Sequence, residues 1–136
     1  MLLLGRALAA VLQPGDCVTL CGELGAGKTT LSRGILQGLG WSGTVKSPTY
    51  TIVEPYETIT PPLYHFDLYR LCGDDELDAL GFRDYVHDTS ICLIEWPEKV
   101  AWVASLATWQ VVIDACGQGR QIAITGPDCD HIQYEE

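Results

Sequence analysis

Residues 21–30, CGELGAGKTT, restrict this chain's fold more than any other stretch. Gly22-x-x-x-x-Gly27-Lys28-Thr29 is a complete P-loop pattern, a turn between a strand and a helix whose backbone N–H groups converge on an anion. Glycine reaches the positive-φ conformations that such a nest requires, and the N-terminus of the following helix adds partial positive charge. The main chain of Glu23, Leu24, Gly25, Ala26 and Gly27 is therefore expected to wrap a phosphate chain. Lys28 should reach the β and γ phosphates as a point charge, and the Thr29 hydroxyl should ligate Mg²⁺. A chance match in a chain this long is on the order of one in a hundred. The competing reading is a glycine turn before a helix, with Lys28 merely solvated.

The flanks agree with the motif. Residues 16–21 (DCVTLC) form a short, mostly apolar run, as a buried strand does. Residues 28–39 place Leu31, Ile35, Leu36 and Leu39 near helical spacing, and Gly38 and Gly40 close the segment. Ahead of them, MLLLGRALAAVL carries its arginine inside the apolar run and no charged region before it, so it reads as an amphipathic helix stopped by Pro14-Gly15 rather than a signal peptide. No apolar run approaches the ~20 residues needed to span a membrane.

Downstream, residues 63–70 (LYHFDLYR) alternate, with Tyr64, Phe66 and Leu68 on one face and His65, Asp67 and Tyr69 on the other. Residues 49–56 (TYTIVEPY) suit a strand. Residues 74–86 read as one helix with Leu77, Leu80, Phe82 and Tyr85 as its buried side, and residues 90–96 (SICLIEW) as a second buried strand. Pro97 suits the opening of a helix over 97–106. Two β-rich runs around Gly117-Gln118-Gly119 predict a hairpin over 108–125, and the polar end, CDHIQYEE, is expected to fray. The expected fold is α/β: a single P-loop NTPase-like domain over residues 1–136, with a mixed, mostly parallel sheet flanked by helices and a C-terminal β-hairpin.

At 136 residues and 47% hydrophobic composition, one domain with a real core is expected. The net charge is −10 with 8 Lys+Arg, which argues against a surface that grips nucleic acid by its phosphates. It suits solubility, or docking on a basic patch of a partner. The six cysteines include no C-x-x-C pair, and Cys17, Cys21 and Cys92 lie in apolar runs. A reduced, cytoplasmic chain is the simplest account.

A P-loop needs an acid opposite it, to hold the shell of the metal or to orient water. Asp67, on the polar face of the alternating strand, and Glu95, at the end of the run ICLI, are the two candidates. The bland reading of each is an ordinary strand-end carboxylate. His65 and Asp67, two apart on one face, could pair on a metal, but that needs a third ligand. The sequence contains no asparagine, so the Asn-Lys-x-Asp route to guanine is closed and ATP is favoured. Trp96 either stacks on the purine or packs in the core. Thr49, in Ser47-Pro48-Thr49, either senses the γ-phosphate and metal or leads a strand out of a proline turn.

Together, GELGAGKTT, SPTY, HFDLYR and IEWPE, in this order and spacing, resemble the TsaE family, small bacterial P-loop ATPases of tRNA threonylcarbamoyladenosine biosynthesis. The resemblance covers about residues 5–126. It implies slow hydrolysis of ATP with Mg²⁺ and association with the TsaB–TsaD pair, in which TsaD performs the transfer; tRNA would be touched at most indirectly, and no membrane is involved. By motif it implies that Lys28, Thr29 and Thr30 contact phosphate and Mg²⁺, that Thr49 is a switch-like threonine, that Asp67 and Glu95 lie near the metal, and that Trp96 lies by the base. Family chains usually carry a short stretch before the first helix, whereas this sequence begins almost at that helix, so the sheet edge is expected to be trimmed or the start assigned late. Two rival functions stand beside a partner-coupled ATPase. A small-molecule kinase would need an arginine-bearing lid, for which no insert is evident, and a switch would use ATP binding without hydrolysis.

Overall fold

The computed structural model describes residues 1–136 apart from Leu24, Thr49, Tyr50, Asp128 and Glu136, and leaves aside the side chains of Asp74, Cys116 and residues 129–135. Its elements run α1 (Leu2–Ala9), β1 (Cys17–Gly22), α2 (Lys28–Gly38), β2 (Val53–Tyr56), β3 (Leu63–Asp67), α3 (Asp74–Ala79), α4 (Phe82–Tyr85), β4 (Ile91–Glu95), two 3₁₀ turns (Pro97–Lys99 and Ala104–Leu106), β5 (Trp109–Cys116), β6 (Gly119–Gly126) and β7 (Cys129–Glu135).

One seven-stranded sheet has the order β2-β3-β4-β1-β5-β6-β7. Its centre, β3-β4-β1-β5, is parallel, while β2, β6 and β7 add antiparallel edges. The expected mixed α/β sheet is what forms, with the parallel part confined to the strands around the loop. In such sheets the carboxyl ends of the parallel strands share one edge, and ligands bind there. β1 delivers the glycine loop to that edge, and β3 and β4 deliver Asp67 and Glu95, which pair across the ladder.

Both faces of the sheet are covered, and the strand alternation divides accordingly. Leu63, Ile91, Leu93, Val18 and Leu20 pack with Leu31, Ile35 and Leu36 of α2 and with Leu8 and Leu12. Tyr64, Phe66, Cys92 and Ile94 face the other way, against Leu77, Phe82, Val100 and Val103. All five residues of β3 are buried, so the polar face read from LYHFDLYR looks not at bulk water but along the side that α2 covers. Polar groups buried there need a reason, and the site supplies it. Cys17 and Cys92 are adjacent free thiols in the ladder. Burial pushes each up to about 12, helped by the charge of Asp16 for Cys17 and by Cys17 for Cys92. They behave as small core hydrophobes, as their apolar runs suggest.

Three expectations need correction. The helix over 74–86 is two short helices, because Gly81 adopts φ 74° and breaks the turn; Leu80, expected on the buried side, is 41% exposed. The helix over 97–106 is a pair of 3₁₀ turns: Trp96 precedes them in a left-handed conformation and Val100 is extended. The C-terminal tail does not fray but forms β7, antiparallel to β6, because the hairpin would otherwise leave β6 as an open edge.

Candidate functional site

The glycine loop closes onto α2 with Gly25 at φ 79° and Gly27 at φ 111°, conformations that cost a side-chain-bearing residue and not glycine. The Ala26 N–H donates to the Glu23 carbonyl at 3.0 Å, and the Leu31 N–H donates to the Gly27 carbonyl at 2.9 Å. The helix therefore begins with its free N–H groups at the loop.

Lys28 is only 5% exposed. Its Nζ donates to the Gly22 carbonyl at 2.6 Å and stands 3.6 Å from the centroid of the Trp96 ring. Burial holds its pKa below the usual lysine value, opposed by the negative charges of Glu95, Asp67 and Glu98. An ammonium placed this way is poorly hydrated and surrounded by acids, and it gains from any anion that enters the cleft.

The acids are fixed by different partners. Asp67 Oδ1 accepts the backbone N–H of Tyr69 at 3.0 Å. Glu95 Oε2 lies 2.6 Å from His65 Nε2, with both side chains buried. His65 Nδ1 is buried without a hydrogen-bond partner, so the tautomer with the proton on Nε2 suits the pair: it donates to the carboxylate and leaves a lone pair, not a stranded N–H, in the core. Among the described residues no group of three or more His, Cys, Asp or Glu could hold a metal. His65 thus meets Glu95 rather than joining Asp67 in a metal pair. A Mg²⁺ ion at this loop would draw its ligands from the Thr29 hydroxyl and phosphate oxygens as well as from a carboxylate, which this donor set fits.

A cleft of about 270 Å³ is lined by Gly25, Gly27, Lys28, Thr29, Thr30, Ser47, Asp67, Glu95, Trp96 and Arg120. A second cavity of about 330 Å³ shares Gly25 and Arg120 with it and adds Glu23, Ala26, Asp114 and the hairpin turn Gly117–Gly119. Every site residue read from the sequence and described here lines one or the other; Leu24 and Thr49 lie outside the described residues. Trp96 is partly buried against the core, as one of its two sequence readings has it. Its ring holds the Lys28 ammonium on one side and lies 4.8 Å from the Tyr69 ring, which puts it at the lysine end of the cleft.

Two residues that line the first cleft, Ser47 and Arg120, are not among the sequence-read site residues. Ser47 sits in the SPTY stretch, two residues before Thr49. Arg120 directly follows the predicted turn, and its Nε lies 3.6 Å from where a Cβ on Gly27 would stand. Nothing local marks it. It arrives because β5 runs parallel beside β1 in the register Gly22↔Ile113, and β6 folds back on β5 with Arg120 opposite Ala115.

The family model described as "Threonylcarbamoyl adenosine biosynthesis protein TsaE" matches residues 1–122. A tRNA threonylcarbamoyladenosine biosynthesis protein TsaE from Haemophilus influenzae is 48% identical over 129 residues, covering 91% of this chain and 82% of that protein. Its Bacillus subtilis namesake is 41% identical over 123 residues, covering 90% of this chain and 77% of that protein. Among solved structures, the crystal structure of Bacillus subtilis YdiB superimposes with a TM-score of 0.71 at 36% identity, covering 92% of this chain and 77% of that one. Among the described residues no helix is long and apolar enough to cross a membrane.

Proposed function

Because the chain belongs to the TsaE family, and so has a role in tRNA threonylcarbamoyladenosine biosynthesis, we propose that it is a Mg²⁺-dependent ATPase acting on the TsaB–TsaD pair rather than performing the transfer itself. The observation that carries this reading is the meeting of Lys28, Thr29, Asp67 and Glu95 around one glycine loop at the carboxyl edge of the parallel strands.

Hydrolysis of a phosphoanhydride asks for position and charge neutralisation more than for covalent chemistry. The loop N–H groups and Lys28 would hold the phosphate oxygens, and Thr29 and Thr30 would add hydroxyls. The Thr29 hydroxyl, with Asp67 and Glu95 in the same cleft, would hold Mg²⁺, which would supply charge to offset that of the phosphates. Glu95, held by His65 through Oε2 and lining the cleft, would orient an attacking water or take part in the metal's shell. Asp67, tied to the Tyr69 backbone, suits the metal's outer shell. The absence of asparagine from the sequence favours ATP over GTP, and the cavity by the hairpin turn would leave room for a nucleoside beyond Gly25.

Purified chain is expected to hydrolyse ATP slowly and in preference to GTP, with a rate that changes several-fold when the TsaB–TsaD pair is added. Tight Mg–ATP binding with no hydrolysis in either condition would replace the ATPase by a binding switch. Absence of binding would remove both.

Arg120 adds a cation that lines both cavities, so Arg120→Ala should weaken ATP binding by about ten-fold, the loss of one charge-assisted contact. Arg120→Lys should recover only part of it, because the fork geometry is lost. Calorimetric titration with a non-hydrolysable ATP analogue measures both, and unchanged affinity in Arg120→Ala would remove the residue from the site.

A further inference from the structure

His65 occupies the middle of β3 with no exposed surface. Its row on that face runs Leu63, His65, Asp67, beside Ile91, Leu93 and Glu95 on the paired strand. Leucine at this position would satisfy the core without burying a polar ring. The imidazole instead spends its position on one contact, to Glu95 Oε2 at 2.6 Å, and leaves Nδ1 buried without a partner. A partly satisfied polar group in a core is a cost to folding, so the gain lies in what the contact does to Glu95.

Glu95 stands among groups that would otherwise compete for it. The Lys28 ammonium is close enough for mutual electrostatic influence. A carboxylate free to swing onto that ammonium would neutralise the cation meant for phosphate. A hydrogen bond from a strand-anchored ring removes that freedom, holding one oxygen back in the core and leaving the other for the cleft. The anchoring is firm, because both residues sit in adjacent, fully buried strands.

We infer that His65 is a positioning residue for Glu95, fixing the carboxylate so that its second oxygen faces the metal and water side of the cleft. The inference rests on the ATPase reading above and deepens it.

The test uses the full chain with Mg–ATP. His65→Leu should lower kcat about ten-fold or more, as loss of a partner behind a metal-side ligand does. Affinity for a fluorescent ATP analogue in EDTA should stay within about two-fold, while the gain in affinity that Mg²⁺ confers should shrink. His65→Gln, whose amide N–H reaches nearly the Nε2 position, should recover much of both. In a Glu95→Gln background, His65→Leu should cost little more, because the two substitutions act through one group. Nitrogen-15 spectra of the wild-type ring should show a protonated Nε2 whose signal moves in Glu95→Gln. An unchanged kcat and Mg²⁺ dependence in a well-folded His65→Leu, or no recovery in a folded His65→Gln, would overturn the inference alone. A wild-type chain that binds no Mg–ATP would overturn the ATPase reading and this role with it, whatever the ring spectrum shows.

Discussion

Lys28→Ala is expected to reduce ATP turnover to background and to weaken nucleotide binding at least about 100-fold, which corresponds to ~2.7 kcal/mol. Lys28 already sits where the proposed phosphate would come: almost fully buried, 2.6 Å from the Gly22 carbonyl and over the Trp96 ring. Most of the cost of desolvating an ammonium is therefore met in the fold, and an incoming anion gains a preorganised partner. Charge-assisted hydrogen bonds are each worth about 1.5–3 kcal/mol, and a terminal phosphate accepts more than one. The fold itself should tolerate the change. Alanine leaves the Gly22 carbonyl without its side-chain donor but also removes a buried cation whose hydration was lost, and the two effects oppose each other. Lys28→Arg should not rescue, since a planar guanidinium cannot occupy the space of a compact ammonium between that carbonyl and the indole. Calorimetric binding and a phosphate-release assay, with circular dichroism melting as the control, decide it. A cleanly prepared Lys28→Ala that still hydrolyses ATP would end the assignment.

How legible this was in the sequence depends on the range over which each feature is determined. The glycine loop, α2 and the roles proposed for Lys28 and Thr29 rest on consecutive residues, where local conformation and motif coincide. The α2 helix ends at Gly38, within one residue of where its apolar spacing stops. Asp67 and Glu95 were visible as acids at strand ends, but their pairing depends on the parallel register of β3 with β4. Arg120 depends on two registers in succession, and no local signal could point to it. His65 was legible as one face of an alternation; that α2 covers this face is a tertiary fact. The misread helices have a physical cause too. The row Leu77, Leu80, Phe82, Tyr85 has apolar spacing, yet Gly81 at positive φ interrupts it and leaves Leu80 outside. The polarity of the tail predicts fraying, whereas what orders it is the open edge of β6.

Gly34→Ala offers the largest expected effect on stability, and its sign is not the one that helix propensity gives. In an exposed helix the change would stabilise by about 1 kcal/mol. Here α1 lies directly on α2: a Cβ on Gly34 would stand 2.5 Å from the Leu2 carbonyl oxygen and 3.1 Å from Gly5 Cα. These are backbone atoms and cannot swing aside, so α1 would have to lift. Leu8, Ala9 and Leu12 are buried members of the core on that side, and lifting the helix loosens all three. Overpacking of this kind costs about 1–3 kcal/mol or more, and lost burial of even one leucine adds about 2 kcal/mol. The net expectation is a loss of roughly 2 kcal/mol, a fall in Tm on the order of 8 °C for a chain of this size. Gly73→Ala is the matched control, because no atom lies within 4 Å of its added Cβ and its φ of −177° is ordinary extended backbone; it should cost less than about 1 kcal/mol. Thermal melts of the two variants side by side read the difference. If Gly34→Ala melts at or above the wild type while Gly73→Ala is neutral, α1 does not dock through its glycine contacts, and the packing that supports the far side of α2 must be reassigned.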